Sequence, residues 1–369
     1  MRYLISGGGT GGHIFPAVSI ANAVRELDPE AEILFVGALG RMEMERVPQA
    51  GYEIVGLPVR GFNRAQVWKN ISVVWDLLRS IIQVRKVIKD FRPDVGVGVG
   101  GYASGAAMWM AAKMGVPIVL QEQNSFAGVT NKLLKDQAEE ICVAYEGMER
   151  FFPKEKILLT GNPVRQNLVG KERKKAAGSK DKRQLLIIGG SLGARTINEA
   201  MIEALRHSLS ALSGIQVVWQ TGKIYYERCK EAWERAGKPE GIEVHDFLSD
   251  MGDQYAKADL VISRAGASSI SELCLLGKAC ILVPSPNVAE DHQTHNAMAL
   301  VNRDAAILVK DAEAKTELIP TAIKTIGDKT LLERLSTNIL QLAQRDSARR
   351  IAEEVIRIGS EKSPNRRTE

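Results

Sequence analysis

Five glycines fall within the six positions Gly7–Gly12, in the run Leu4-Ile5-Ser6-Gly7-Gly8-Gly9-Thr10-Gly11-Gly12-His13. Such a run lets bare backbone approach a ligand at the N-terminus of a helix, with one imidazole beside it. As a string, Gly7-x-Gly9-x-x-Gly12 fits the dinucleotide fingerprint, which also needs an Asp or Glu at the end of the second strand to hold a ribose. The second apolar run ends Phe35-Val36-Gly37-Ala38, without an acid. Gly7 and Gly12 also have P-loop spacing, but His13 and Ile14 stand where Lys and Ser or Thr are required, which disfavours magnesium-nucleotide hydrolysis. Pro16 suits a first helical turn and places Gly11–His13 just outside the helix. The plain alternative is a tight strand–helix turn with an incidental histidine. A second glycine turn, Gly98–Gly105, could cradle an anion or simply pack a helix closely on a strand.

Three features of the second half suit a nucleoside diphosphate. Gly189-Gly190-Ser191 puts backbone and a hydroxyl at a helix start. Arg264-Ala265-Gly266-Ala267-Ser268-Ser269-Ile270-Ser271-Glu272 is a small-residue turn whose hydroxyls and helix dipole suit a diphosphate. Glu272 falls about one turn into that helix, where a carboxylate could take both ribose hydroxyls. Read separately, each is a capped helix, and Ser268 with Glu272 is near capping-box spacing. The polar loop Pro284–Asn296 follows an apolar run and offers groups for sugar hydroxyls; His292 and His295 fit binding or surface roles better than metal ligation. No Asp-x-Asp occurs, which removes the usual carboxylate pair for a divalent ion on a diphosphate. Neither a metal nor another cofactor is called for, and helix termini would have to neutralise the leaving group.

The elements that must position these residues alternate. Apolar runs at Tyr3–Ser6, Glu32–Val36, Glu53–Leu57, Asp94–Val99, Pro117–Gln121, Glu140–Ala144 and Lys156–Thr160 are separated by stretches of helical period such as Pro16–Leu27 and Trp68–Phe91. A Lys-, Gly- and Ser-rich linker at 170–183 follows. The alternation restarts with Gln184–Ile188, Gln216–Gln220, Gly241–His245, Leu260–Ser263 and Ala279–Val283. The pattern predicts an α/β fold of two Rossmann-like, doubly wound domains facing across a cleft, with the glycine turns lining it at the carboxyl ends of the strands. The expected domains are 1–164 on the acceptor and membrane side and 165–342 for the donor. A helix at about 343–358 packs back on the first, and 359–369 is a disordered tail.

Composition bounds the function. A chain of 369 residues, 45% hydrophobic and 25% charged, is long enough for two cores. Cys142, Cys229, Cys274 and Cys280 form no CxxC pair, so a reducing compartment fits and a zinc site does not. The N-terminus turns glycine-rich before any signal-peptide apolar core develops. The uncharged stretch Val95–Ala112 approaches a membrane span in length, but its glycines make it strand, loop and helix start. Eight Lys or Arg stand against two Asp between Arg60 and Arg92, and seven stand against two acids between Lys171 and Arg183. The charge is local rather than chain-wide, which excludes a general nucleic-acid binder. In the first basic segment Trp68, Ile71, Trp75, Leu78 and Ile82 recur at helical spacing beside Lys69, Arg79, Arg85, Lys86 and Lys89. An interfacial patch for an anionic membrane looks like this, as does an ordinary helix packed on a sheet.

Several motifs together carry a resemblance. Gly9-Thr10-Gly11-Gly12-His13-Ile14-Phe15-Pro16, Gly100-Gly101-Tyr102, Glu122-Gln123-Asn124 and Gly161-Asn162-Pro163-Val164-Arg165 occur in the first half. Gly189-Gly190-Ser191-x-Gly193-Ala194-Arg195, Arg264-x-Gly266-Ala267 with Ser271-Glu272, and Asp291-His292-Gln293 follow. In content and order this resembles the MurG-type transferases of peptidoglycan synthesis over nearly the whole chain. The resemblance implies a GT-B fold and inverting transfer of N-acetylglucosamine (GlcNAc) from UDP-GlcNAc to undecaprenyl-diphospho-N-acetylmuramoyl-pentapeptide (lipid I), giving lipid II. It also implies a peripheral location on the cytoplasmic face of the plasma membrane. By position, Ser191 and Ala267, Ser268, Ser269, Ile270, Ser271 and Glu272 would hold the diphosphate and ribose. Leu248 would meet uracil through its backbone, and Gln293 the sugar hydroxyls. Thr10, Gly11, Gly12, Asn124 and Arg165 would complete the donor and cleft contacts. His13 is the candidate base and Glu122 the alternative. Members of the family often carry His where this chain has Gln121, and they vary between Asp291 and Asn296.

Rival functions keep the fold: a GT-B enzyme acting on another lipid or a small aglycone, a UDP-sugar epimerase, or a non-catalytic UDP-sugar sensor. A NAD-dependent oxidoreductase is disfavoured by the missing acid after Val36.

Overall fold

The computed structural model describes residues 1–59, 70–164, 183–190 and 192–364. Arg165, the expected linker up to Lys182, Ser191, Trp68, Lys69 and the side chain of Ile71 lie outside the described residues. The chain divides into two compact units, Met1–Arg165 with Gln344–Glu369, and Gln166–Ala343.

In the first unit, β1 (Arg2–Gly7), α1 (Gly11–Leu27), β2 (Glu32–Ala38), α2 (Glu43–Gln49), β3 (Glu53–Leu57), α3 (Asn70–Phe91), β4 (Val95–Gly100), α4 (Tyr102–Lys113), β5 (Ile118–Glu122), α5 (Val129–Leu134), β6 (Glu140–Val143) and β7 (Ile157–Leu159) alternate. The sheet order is β3-β2-β1-β4-β5-β6-β7. Strand β1 runs parallel between β2 and β4, with Leu4 opposite Leu34 and Gly96. Helices cover both faces, so β1 and β4 read as continuous apolar runs and are buried throughout their middles. The chain reverses direction across the sheet at β1, which puts the first glycine turn at the switch point where ligands bind in such folds.

The second unit repeats the plan with β8 (Arg183–Ile188), α6 (Arg195–His207), β9 (Ile215–Gln220), α7 (Tyr226–Arg235), β10 (Ile242–His245), α8 (Met251–Lys257), β11 (Leu260–Ser263), α9 (Ala267–Leu275), β12 (Cys280–Leu282), α10 (His292–Val301), β13 (Ile307–Leu308), α11 (Ala314–Gly327) and α12 (Lys329–Gln341). The order β10-β9-β8-β11-β12-β13 is again parallel, with Ile187 opposite Trp219 and Ile262. Its switch point lies between β8 and β11, where the turns after both strands emerge. Strand β13 has two residues and was not expected from the sequence; it is too short to show a period of two.

The last helix, α13 (Ser347–Lys362), returns to the first unit. It lays Ile351, Ala352, Val355 and Ile358 against Ile14, Ala17, Ile20 and Val24 of α1. Two expectations are corrected here. The helix begins at Ser347 rather than about 343, because Asp346 takes a left-handed conformation (φ 55°) at its start. It also runs through Gly359–Lys362, which the sequence reading assigned to a disordered tail. Gly359 packs directly on Val95 and Met1, and Ser363 donates its hydroxyl to Asp94 at 2.6 Å, so burial holds the end of this helix. Residues 365–369 lie outside the described residues.

Candidate active site

In the first unit the two glycine turns are one structure. The Gly8 N–H donates to the Gly100 carbonyl at 3.3 Å. Gly101 has φ 95°, and a Cβ there would lie 2.6 Å from the Gly8 carbonyl oxygen, so only glycine fits. The expected position of Gly11–His13 outside the helix is corrected: α1 starts at Gly11 with Thr10 as its N-cap, and Pro16 sits in the second turn. The Thr10 carbonyl accepts from His13 N at 3.1 Å and Ile14 N at 3.2 Å, closing the first turn. Pro16 is tolerated because the carbonyl it leaves without a helical partner belongs to exposed Gly12, within reach of water.

His13 is therefore the third residue of α1, half-buried, with Nδ1 3.0 Å from the Gly8 carbonyl and 3.4 Å from Thr10 Oγ1. A carbonyl can only accept, so this contact puts the proton of the neutral ring on Nδ1 and the basic lone pair on Nε2. A Cβ on Gly100 would lie 3.0 Å from His13 Nε2, so that glycine makes room for the imidazole.

The carboxyl end of β5 carries a buried polar knot. Glu122 is 2% exposed. Its Oε1 accepts from the Asn124 N–H (3.1 Å) and Nδ2 (3.4 Å), and its Oε2 accepts from the Gly128 N–H (3.0 Å) and Asn131 Nδ2 (2.8 Å). Burial pushes its carboxyl above the ordinary range, against these hydrogen bonds. Both oxygens are thus committed to shaping the loop Gln123–Gly128. Gln121 is fully buried and accepts from Gln123, which also donates to the Val99 carbonyl at 2.6 Å.

One residue escaped the sequence reading. No acid stands at the end of β2, yet a carboxylate lies there: Glu43, from α2, is fully buried and accepts from the N–H groups of Gly9 (2.9 Å) and Ala38 (3.1 Å). With both oxygens on backbone, it is not presented to a ribose. The signal was its place at the start of an amphipathic turn, seven residues after Val36, which no local motif marks.

In the second unit the turn after β8 rests on the turn after β9. A Cβ on Gly193 (φ 85°) would lie 2.1 Å from the Thr221 carbonyl oxygen. Gln220, buried at the end of β9, joins two loops: its Nε2 donates to the Gly190 carbonyl (3.2 Å) and its Oε1 accepts the Leu248 N–H (2.9 Å). After β11, Gly266 caps α9 in extended conformation, and the first-turn N–H groups open beside half-exposed Ser268 and Ser269. Ser271 donates to the Ala267 carbonyl (2.9 Å), and the Ile270 side chain is packed in the core. Glu272 is 2% exposed and takes a hydrogen bond from the Tyr255 hydroxyl at 3.1 Å. Arg264 donates to the Val283 and Pro284 carbonyls and to Asp311, which also accepts from Thr196. The polar loop after β12 is thereby tied to β11, and Gln293 Oε1 accepts the Ser285 N–H at 2.9 Å.

Two parallel, doubly wound units with backbone-lined turns at both switch points define a GT-B α/β fold of the glycosyltransferase kind. Residues 3–143 match the glycosyltransferase family 28 N-terminal domain and residues 184–355 its C-terminal domain. A Bacteroides fragilis protein named UDP-N-acetylglucosamine--N-acetylmuramyl-(pentapeptide) pyrophosphoryl-undecaprenol N-acetylglucosamine transferase is 59% identical over 367 residues, 98% of this chain and 96% of that one. The crystal structure of Acinetobacter baumannii MurG matches with a TM-score of 0.79 at 26% identity, covering 96% of this chain and 99% of that one. A UDP-GlcNAc 2-epimerase from Neisseria meningitidis, bound to UDP-GlcNAc, shares the fold alone, with a TM-score of 0.65 at 14% identity over 97% of this chain and 100% of that one. The chain belongs to glycosyltransferase family 28 and, within it, to the MurG-type transferases.

Proposed function

We propose that this chain transfers GlcNAc from UDP-GlcNAc to lipid I, forming lipid II with inversion at the anomeric carbon. The 59% identity along almost the whole length to a transferase named for that reaction carries the reading. The acceptor hydroxyl oxygen attacks the anomeric carbon, the bond from that carbon to the diphosphate breaks, and UDP leaves with the bonding pair. The acceptor proton goes to Nε2 of His13, the basic nitrogen of a ring held by its Nδ1–H. Glu122 shapes the acceptor-side loop through Asn124, and with both its oxygens engaged by N–H donors it stands second to His13 as the base. The second unit holds the donor. The α9 N-terminus faces the diphosphate, with the Ala267–Ser271 turn around it, and the charge that develops on UDP is met by helix N–H groups; by its place in the family's motif, Ser191 would add a hydroxyl. Glu272 takes the ribose hydroxyls, Leu248 meets uracil, and Gln293 meets the sugar. By their place in the family's motifs, Thr10, Gly11, Gly12 and Arg165 would supply further substrate contacts.

The acceptor is lipid-linked, and α3 supports contact with a membrane. It turns Val73, Val84 and Ile88 into the core, while Trp75 (59% exposed), Leu78 (49%) and Ile82 (71%) form a second apolar stripe facing outward. Exposed Arg79, Arg85, Lys86 and Lys89 border it. A helix that is apolar on two faces, one of them ringed by cations, suits the interface of an anionic bilayer. Among the described residues no helix is long and apolar enough to cross a membrane. On this reading the chain binds peripherally, at the cytoplasmic face where UDP-sugars are available.

UDP release from UDP-GlcNAc, measured with and without a lipid I analogue, tests the reading. Release that depends on the analogue is expected. Release that ignores the acceptor, or no release despite UDP-GlcNAc binding, would point instead to an epimerase-like or sensing protein.

A further inference from the structure

We propose that Glu43 is a positioning residue for the proton acceptor, fixing the peptide that sets the tautomer of His13. The inference rests on the reading of His13 as the base. Burying a carboxylate completely is costly unless it is well hydrogen-bonded. A packed apolar side chain would anchor α2 without that cost, so what the carboxylate adds is its two directed, charge-assisted bonds to Gly9 and Ala38. The chain makes room for it: a Cβ on Gly8 would lie 2.1 Å from Glu43 Oε1, and one on Gly37 would lie 2.6 Å from its Cγ.

The Gly9 nitrogen and the Gly8 carbonyl belong to one peptide group. That group is planar and trans, so its N–H and C=O point in opposite directions, and fixing one aims the other. Glu43 holds the N–H at 2.9 Å, and the carbonyl on the far side meets His13 Nδ1 at 3.0 Å. The buried negative charge also polarises the peptide and strengthens its carbonyl as an acceptor. The line Glu43–peptide–His13 thus does for this imidazole what a directly bonded carboxylate does in other general bases: it keeps the proton on Nδ1 and the basic lone pair on Nε2. The glycine turn is held at one end by Glu43 and at the other by Gly100, and the imidazole sits between them.

Glu43→Gln keeps the shape but leaves one carbonyl oxygen for two N–H donors. In a histidine-¹⁵N-labelled protein at alkaline pH, the His13 signals, assigned by their loss in His13→Ala, should show the Nδ1–H tautomer in the wild type. The Nε2–H tautomer should predominate in Glu43→Gln. kcat should fall by at least about 10- to 100-fold, the loss seen when a partner that orients a metal-ligating histidine is removed, while KM for UDP-GlcNAc and the UDP affinity of the second unit stay near wild type. The double variant His13→Ala/Glu43→Gln should be no slower than His13→Ala alone, because the two act through one group. An unchanged tautomer in Glu43→Gln, or losses in kcat that add, would overturn the inference. If Glu43→Gln melts below the assay temperature, Glu43→Asp, which keeps the charge but shortens the reach, is read by the same ring signals. If His13→Ala keeps its kcat, it is the base reading that fails, and the tautomer measurement still decides whether Glu43 sets the ring.

Discussion

The Tyr255 hydroxyl donates to Glu272 Oε2 at 3.1 Å, and both side chains are buried. This bond joins α8 to α9 beneath the proposed ribose position and fixes the carboxylate that would take the sugar hydroxyls. A hydrogen bond to a charged group contributes about 1.5–3 kcal/mol. Glu272→Gln should therefore weaken UDP binding by about ten- to a hundredfold. Tyr255→Phe, which keeps the ring in place, should weaken it by roughly 3- to 10-fold, and the double variant should be little worse than Glu272→Gln. Calorimetry with UDP reads all three. Unchanged affinity in Glu272→Gln would leave Glu272 as a helix-terminus carboxylate with a structural partner.

His13→Ala should lower kcat by about 10²- to 10⁴-fold, the usual contribution of a positioned base, with UDP affinity unchanged. A base works deprotonated. Wild-type activity should therefore be flat on the alkaline side and fall at low pH as the ring takes up a proton. A variant that keeps kcat but loses acceptor affinity would make His13 a phosphate contact, and Glu122→Gln would then be the next variant to measure.

Trp75→Ser with Ile82→Ser removes the most exposed part of the outward stripe on α3 and leaves Val73, Val84 and Ile88 in the core. Co-sedimentation with anionic vesicles should fall, and added salt should weaken wild-type binding as it screens Arg79, Arg85, Lys86 and Lys89. Undiminished binding, or loss of the fold, would assign the stripe a different purpose.

Burial pushes the Cys274 thiol up to about 12 and raises Cys280 as well. Neither should react with an alkylating reagent in the native protein near neutral pH, since the thiolate is the nucleophile. Above the ordinary thiol value of ~8.5 the unfolded chain releases these protons and the folded chain keeps them. Stability should then fall with rising pH, by about 1.4 kcal/mol per unit for each retained proton. Equilibrium denaturation at stepped alkaline pH, compared with Cys274→Ala, measures this; equal slopes would contradict it.

The parallel units were legible because doubly covered strands are apolar along their length and the helices between them are amphipathic. Local punctuation was less reliable. Pro16 suggested a helix start, but exposed Gly12 let the helix begin five residues earlier, which moved His13 into its first turn. The polar composition after Ile358 suggested disorder, but Gly359 finds close packing on Val95. Glu43 was invisible for a different reason: its partners Gly9 and Ala38 are brought to it by β-pairing of β1 with β2, and no spacing within the chain encodes that contact. The two apolar faces of α3 could be counted in the sequence, but only burial tells which one is core.

Transfer itself is tested most directly by the product. The chain carries no Asp-x-Asp pair, and the α9 N-terminus can supply positive potential to the leaving diphosphate. Incubation with UDP-GlcNAc and a short-chain lipid I analogue in the presence of EDTA should therefore give a disaccharide whose new linkage, read from the anomeric proton coupling by NMR, is β. An α linkage, UDP released without disaccharide, or activity abolished by EDTA and restored by magnesium or manganese would contradict the account.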